Sequence, residues 1–97
     1  MAARTGWTFL TNHGHVLVCL ARDPDVRLRD VADLVGITER AAQQIVAELV
    51  RDGYLVKRKV GRRNHYRIRR SERFRHPVES GLRVGEFLDL VLDTDQR

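Results

Sequence analysis

The chain has 97 residues, 42% of them hydrophobic and 32% charged, with a net charge of +5. That suits one globular domain with a modest core, excludes a disordered chain, and favours reliance on a partner subunit for so small a fold. One cysteine excludes an intrachain disulfide framework, and the sequence has neither an apolar run of membrane-spanning length nor a leader pattern at its start, so a cytoplasmic protein with no membrane partner is expected.

Trp7-Thr8-Phe9-Leu10 is apolar and reads as a short extended arm, its Trp7 and Phe9 packed against the last helix or a partner chain, with the lining of a ligand site as the alternative. Thr11 or Asn12 is the cap of a first helix whose inner positions include Val16, Leu17 and Leu20, and Asp23-Pro24-Asp25 stops it. Arg27-Leu28-Arg29 reads as a short strand or lead-in. Asp30 then serves as N-cap or first-turn acid of a short helix through Val35, with Val31, Leu34 and Val35 turned inward. Gly36 fits the left-handed position that ends such a helix. Thr38 caps a longer helix, with Glu39 set against its dipole. At 100° per residue Ala42, Ile45, Val46 and Leu49 share one face, while Arg40, Gln43, Gln44, Ala47 and Arg51 share the other. Glu48 and Asp52 lie towards the edge of that outer face, and Gly53 ends the helix.

Residues 54–60 and 65–69 alternate as strands do. Gly61 and Asn64 suit the ends of a tight turn that holds Arg62 and Arg63 at its tip. Tyr66 and Ile68 face the core; His65, Arg67 and Arg69 face away. Residues 70–76 form a charged connector, and Pro77 is expected to open the last helix. In that helix Val84, Phe87, Leu88, Val91 and Leu92 make a wide apolar stripe, expected to serve dimerisation. Gly81 and Gly85, one turn apart, would allow a close helix approach. The expected organisation is a domain over residues 1–76 and a dimerisation element over residues 77–97. The expected class is α+β, mostly α: a winged helix-turn-helix with a two-stranded β wing and a C-terminal dimerisation helix.

Charge is sharply segregated: residues 1–53 carry a net −1, residues 54–76 a net +9 and residues 77–97 a net −3. A positive block confined to a hairpin points to a localised polyanion contact. A major groove admits one α-helix, where arginine matches guanine and glutamine matches adenine through paired hydrogen bonds. Arg40, Gln43 and Gln44 are the candidate base readers, and Thr38 a candidate phosphate contact at the helix start. Arg62 and Arg63 are candidates for the minor groove, with Lys57, Lys59, His65 and Arg67 on flanking phosphates. Cys19 reads as a small buried hydrophobe. His15 and Cys19 share a helix face, but two ligands are too few for a metal site. No nucleophile–base pair, phosphate loop or paired carboxylates are present, so neither catalysis nor a cofactor is expected.

The segments Arg29-Asp30-Val31-Ala32-Asp33-Leu34-Val35-Gly36-Ile37-Thr38-Glu39-Arg40, residues 49–55, and Val60-Gly61-Arg62-Arg63-Asn64-His65-Tyr66-Arg67-Ile68 carry a resemblance. Residues 7–68, about two-thirds of the chain, resemble winged helix-turn-helix transcriptional regulators of the MarR/ArsR-like group, of the small actinobacterial type. The resemblance implies a cytoplasmic homodimer on a pseudo-palindromic operator of double-stranded DNA, more often a repressor than an activator. It also implies that Thr38, Arg40, Gln43 and Gln44 read the major groove and that Arg62 and Arg63 contact DNA from the wing. With one helix before the helix-turn-helix and one after the wing, the usual dimer platform is reduced, and with it the basis for the usual ligand pocket; the sequence does not name a small-molecule effector. Two other readings remain open: a winged helix used for protein contact, and an architectural binder indifferent to sequence.

Overall fold

The computed structural model describes residues 6–95. Its elements run α1 (Asn12–Arg22), α2 (Leu28–Val35), α3 (Glu39–Arg51), β1 (Leu55–Val60), β2 (Arg63–Ile68), a 3-10 turn (Pro77–Glu79) and α4 (Val84–Asp95). Thr11 caps α1, its hydroxyl accepting from the Gly14 N–H, and Thr38 does the same for α3 with Ala41 at 3.0 Å. Such side-chain oxygens satisfy helix-end N–H groups that have no carbonyl of their own. Gly36, at φ +86°, takes the left-handed position between α2 and α3. Its N–H and that of Ile37 both turn back to the Ala32 carbonyl. At the end of α3 the Gly53 N–H reaches the Val50 carbonyl and the Tyr54 N–H the Leu49 carbonyl, a Schellman closure that delivers the chain into β1.

Two details of this first half differ from expectation. Residues 27–29 are not a strand: α2 begins at Leu28, with Arg27 as its N-cap and Asp30 in its first turn. Leu34 does not face inward and is 72% exposed, while the buried pair in α2 is Val31 and Ala32. With Leu28 inside the helix, positions 28, 31, 32 and 35 form the inner i, i+3, i+4, i+7 stripe, and Leu34 falls outside it.

The strands pair antiparallel from Leu55–Ile68 to Val60–Arg63. The turn is therefore two residues, Gly61-Arg62. Gly61 has φ +63°, and no other residue type has positive φ among the described residues. That combination is the one a type II′ hairpin uses. Asn64 is thus a strand residue opposite Lys59, not a turn end, and Arg63 lies in β2 rather than at the tip. The Tyr66 N–H, on the outer edge of β2, donates to the Pro24 carbonyl at 2.9 Å, so the α1–α2 loop lies alongside the sheet.

The core joins Val16, Leu17 and Leu20 of α1, Val31, the α3 row Ile45, Val46 and Leu49, then Leu55 and Tyr66, and finally Val84 and Leu88 of α4. Pro77 opens the 3-10 turn, and α4 starts seven residues later at Val84. Its start is fixed by tertiary partners. The Val84 and Gly85 N–H groups donate to the carbonyls of Glu72 and Arg70, both at 2.9 Å, and Glu86 reaches back to the Arg83 N–H at 2.9 Å. The reach of Glu86 is the carboxylate half of a capping box. The Arg70 guanidinium bonds the Gly85 carbonyl and Asp89, and Phe74 meets Phe87 edge-on at 5.4 Å. Gly85 is the point of closest approach, since a Cβ there would lie 3.1 Å from the Arg70 side chain and carbonyl. Gly81 lies outside α4 with nothing within 4 Å of a built Cβ, so the two glycines do not form a helix-contact pair.

The expected apolar stripe of α4 is therefore divided. Val84 and Leu88 are fully buried in the chain's own core, Phe87, Val91 and Leu92 are partly buried against it, and Leu90 is exposed. The arm does not pack on α4: Trp7 and Phe9 meet each other edge-on at 4.9 Å and stand in solvent, while Leu10 reaches the core.

Candidate nucleic-acid interface

The outer face of α3 is held rigid from behind by its buried row. Arg40, Gln43 and Gln44 are exposed, as expected. Arg40 has no ion pair or side-chain hydrogen bond among the described residues. Each glutamine is oriented by a glutamate one turn away. Gln43 Nε2 lies 3.5 Å from Glu39 Oε2, and Gln44 Nε2 donates to Glu48 Oε2 at 3.2 Å. Glu48 in turn accepts from His13 Nε2 of α1 at 2.7 Å. Hydrogen bonds from His13 first, and from Gln44 second, hold the Glu48 carboxyl below its ordinary range, so it stays ionised at neutral pH. An amide has two N–H donors and one acceptor, so Gln44 keeps one donor and its carbonyl for another partner. Thr38 spends an oxygen lone pair on its cap and keeps its O–H to donate. Arg51 is compensated by Asp52, which Arg75 also reaches at 3.0 Å.

The His13–Glu48–Gln44 chain sets a pH expectation. Because the folded pKa of Glu48 is depressed, its contribution to stability is complete above the ordinary glutamate range and disappears as pH falls through the lower folded value. The stability gap between the native protein and Glu48→Gln should be present above the ordinary glutamate range and close in acid, as read by thermal melts across the pH range. A gap that widens in acid would contradict it.

The wing supplies cations in two states. Lys57, Lys59, Arg62 and Arg67 are exposed and make no ion pair among the described residues. Arg58, exposed and unpaired in the same way, is a further cation that the sequence reading misses, although its place in the alternation of β1 puts it on the solvent face. Arg63 and His65 are instead turned back on the body. Arg63 Nη2 donates to the Asp25 carbonyl at 2.5 Å, and His65 Nδ1 lies 2.7 Å from Asp25 Oδ1. Asp25 fixes the wing's angle, and the expected pair of tip arginines becomes one free tip residue, Arg62, and one anchor.

Between the wing, the α1–α2 loop and the start of α3 lies a recess of about 380 Å³ lined by Gln43, Arg62, Arg63, Asn64, Glu39 and Arg27, among others. It joins the expected reader Gln43 to the expected wing residues. Thr38, Arg40 and Gln44 share α3 with Gln43 but do not line it, and Lys57 and Lys59 lie further along the sheet. Arg27, at the start of α2, is an exposed cation lining the same recess that the strand reading of residues 27–29 hides.

Elsewhere, burial pushes the Cys19 thiol up, away from a reactive thiolate. No group of three or more metal-ligating side chains occurs among the described residues. No helix among them is long and apolar enough to cross a membrane.

Helix, tight turn, capped second helix and two-stranded basic hairpin, in this order on one core, define a winged helix-turn-helix. Residues 10–56, from the end of the arm into β1, match the family described as winged helix-turn-helix DNA-binding. No curated protein matches the chain.

Proposed function

We propose that the chain is a sequence-specific DNA-binding transcription regulator of the MarR/ArsR-like group, a cytoplasmic homodimer that represses from a pseudo-palindromic operator. The observation that carries this reading is the exposed side of α3 together with the unpaired cations of the wing, with Gln43 and Arg62 lining one recess between them. In use, α3 enters the major groove with Arg40, Gln43 and Gln44 towards base edges and Thr38 at a phosphate. Arg62 reaches the adjacent minor groove, and Lys57, Lys59 and Arg67 sit on phosphates. A two-fold dimer places half-sites about one helical turn apart. The group, the repressor role and the operator symmetry rest on the sequence resemblance; the two glutamate-oriented amides beside a free arginine support base reading over simple charge attraction.

Two measurements test it. Selecting bound duplexes from a random pool at about 0.15 M salt screens weak electrostatic binding. An inverted repeat is the expected product. Binding without a motif that fades with salt would indicate an architectural binder, and no binding at all a protein-contact module. Second, replacing Lys57, Lys59 and Arg62 with glutamine is expected to weaken binding on all sequences alike. It should also flatten the slope of log K against log salt by roughly 0.9 for each phosphate that is no longer neutralised. An unchanged slope would remove the wing from the interface.

A further inference from the structure

The most exposed aromatic residues of the protein lie beside an open groove. Trp7 is 77% and Phe9 92% exposed, and among the described residues each ring stacks only on the other. Water contact over two such rings is costly, and paired tryptophan and phenylalanine side chains are common anchors of protein interfaces. Next to them runs an open groove of about 650 Å³ between the start of α1, the end of α3, the connector and α4, with an apolar floor that includes Leu17, Leu49, Tyr54, Phe74 and Phe87. Phe9 borders this groove but does not enter it, and Leu10 is the arm residue that the chain commits to its own core.

We infer that the Trp7–Phe9 arm of one copy seats in this groove of a second copy, and that two reciprocal insertions about a two-fold axis form the dimer. The inference rests on the homodimeric reading above and says which surface makes it. Its size is sufficient. Four aromatic side chains at about 150–250 Å² each, with the walls of the two grooves, bury on the order of 1,000–1,400 Å², which reaches the lower end of the range of a stable protein interface. Reciprocal insertion is also self-complementary, as a two-fold interface must be. The groove and the recess at the wing share no lining residue, so the insertion leaves the DNA-facing surface free. The remaining exposed part of α4 could not do the same alone, because Val84 and Leu88 are already spent in the core.

Trp7 is the sole tryptophan, so its emission reports the arm directly. The native protein should be diluted through the micromolar range while emission and sedimentation are followed. The expected result is a shift of Trp7 emission to shorter wavelength at the same concentration at which monomer becomes dimer. Trp7→Ala/Phe9→Ala, which touches only solvent-exposed rings, should keep the native helical signal and weaken dimerisation at least tenfold. A dimer in which Trp7 stays water-exposed, or one that survives the double substitution, would overturn the inference while leaving the homodimer intact. A short-wavelength emission in a monomer would put the arm in its own groove and also overturn it. A monomer at every concentration would overturn the homodimer reading as well. Half-site binding by that monomer would still be measurable, so DNA reading stands or falls separately.

Discussion

Replacing Arg40 with alanine is expected to lower affinity for the selected operator about 5- to 150-fold, while affinity for a scrambled duplex changes little. The range corresponds to the roughly 1–3 kcal/mol that one well-aligned arginine–guanine pair contributes to discrimination. Arg40 is suited to this test because the folded protein does not use it. Its side chain is exposed and has no partner among the described residues, and alanine is the best helix former, so α3 is preserved. Anisotropy titrations on both duplexes at one salt concentration decide the matter. Equal loss on the two would make Arg40 another phosphate contact. The wing substitutions should behave in the opposite way, lowering affinity on every sequence and changing its salt dependence.

Leu88→Ala is expected to destabilise the protein by about 2–5 kcal/mol, because it empties a fully buried site between α1 and α4. For a domain whose whole stability is of order 5–10 kcal/mol, that is a large fraction. The loss should appear in urea melts at low protein concentration and persist on dilution. A loss that vanishes on dilution would mean that Leu88 acts mainly across a subunit interface. The distinction matters because the same apolar stripe, read in the sequence alone, points to a dimer helix.

Where local chemistry decides structure, the sequence is sufficient. Thr11, Thr38, Gly36 and Gly61 each mark a cap or turn whose geometry needs that residue type, and the inner row of α3 follows from helical spacing alone. The sequence misleads where a neighbour decides. Treating Leu28 as lead-in removes the first member of the α2 stripe and draws Leu34 inward to replace it. The start of α4 is fixed by carbonyls of Glu72 and Arg70, residues on another segment, and its N-cap is Arg83, a type that gives no capping signal. Pro77 is the stronger local signal and marks only a 3-10 turn.

The candidate interface divides along the same line. Side chains that point to solvent, such as Arg40 and Arg62, keep the positions that spacing assigns to them. Arg63 and His65 have the same charge pattern on paper, but Asp25, roughly forty residues earlier, claims both. Nothing in the sequence near the wing announces that partner. The glutamates behind Gln43 and Gln44 are visible at i±4 spacing, yet only the geometry assigns each to its amide.

The placement of Pro24 against β2 has a consequence for colloidal behaviour. A two-stranded sheet has two open edges, and each can recruit a strand from another molecule. On the β2 side the loop supplies the carbonyl of Pro24 to Tyr66, and that same residue has no N–H to continue the ladder and is flanked by Asp23 and Asp25. On the β1 side the guard is Lys57-Arg58-Lys59. The cations proposed to meet phosphate therefore also keep the sheet from growing in the absence of DNA. Resistance to strand addition and the proposed affinity for a polyanion both draw on Lys57 and Lys59.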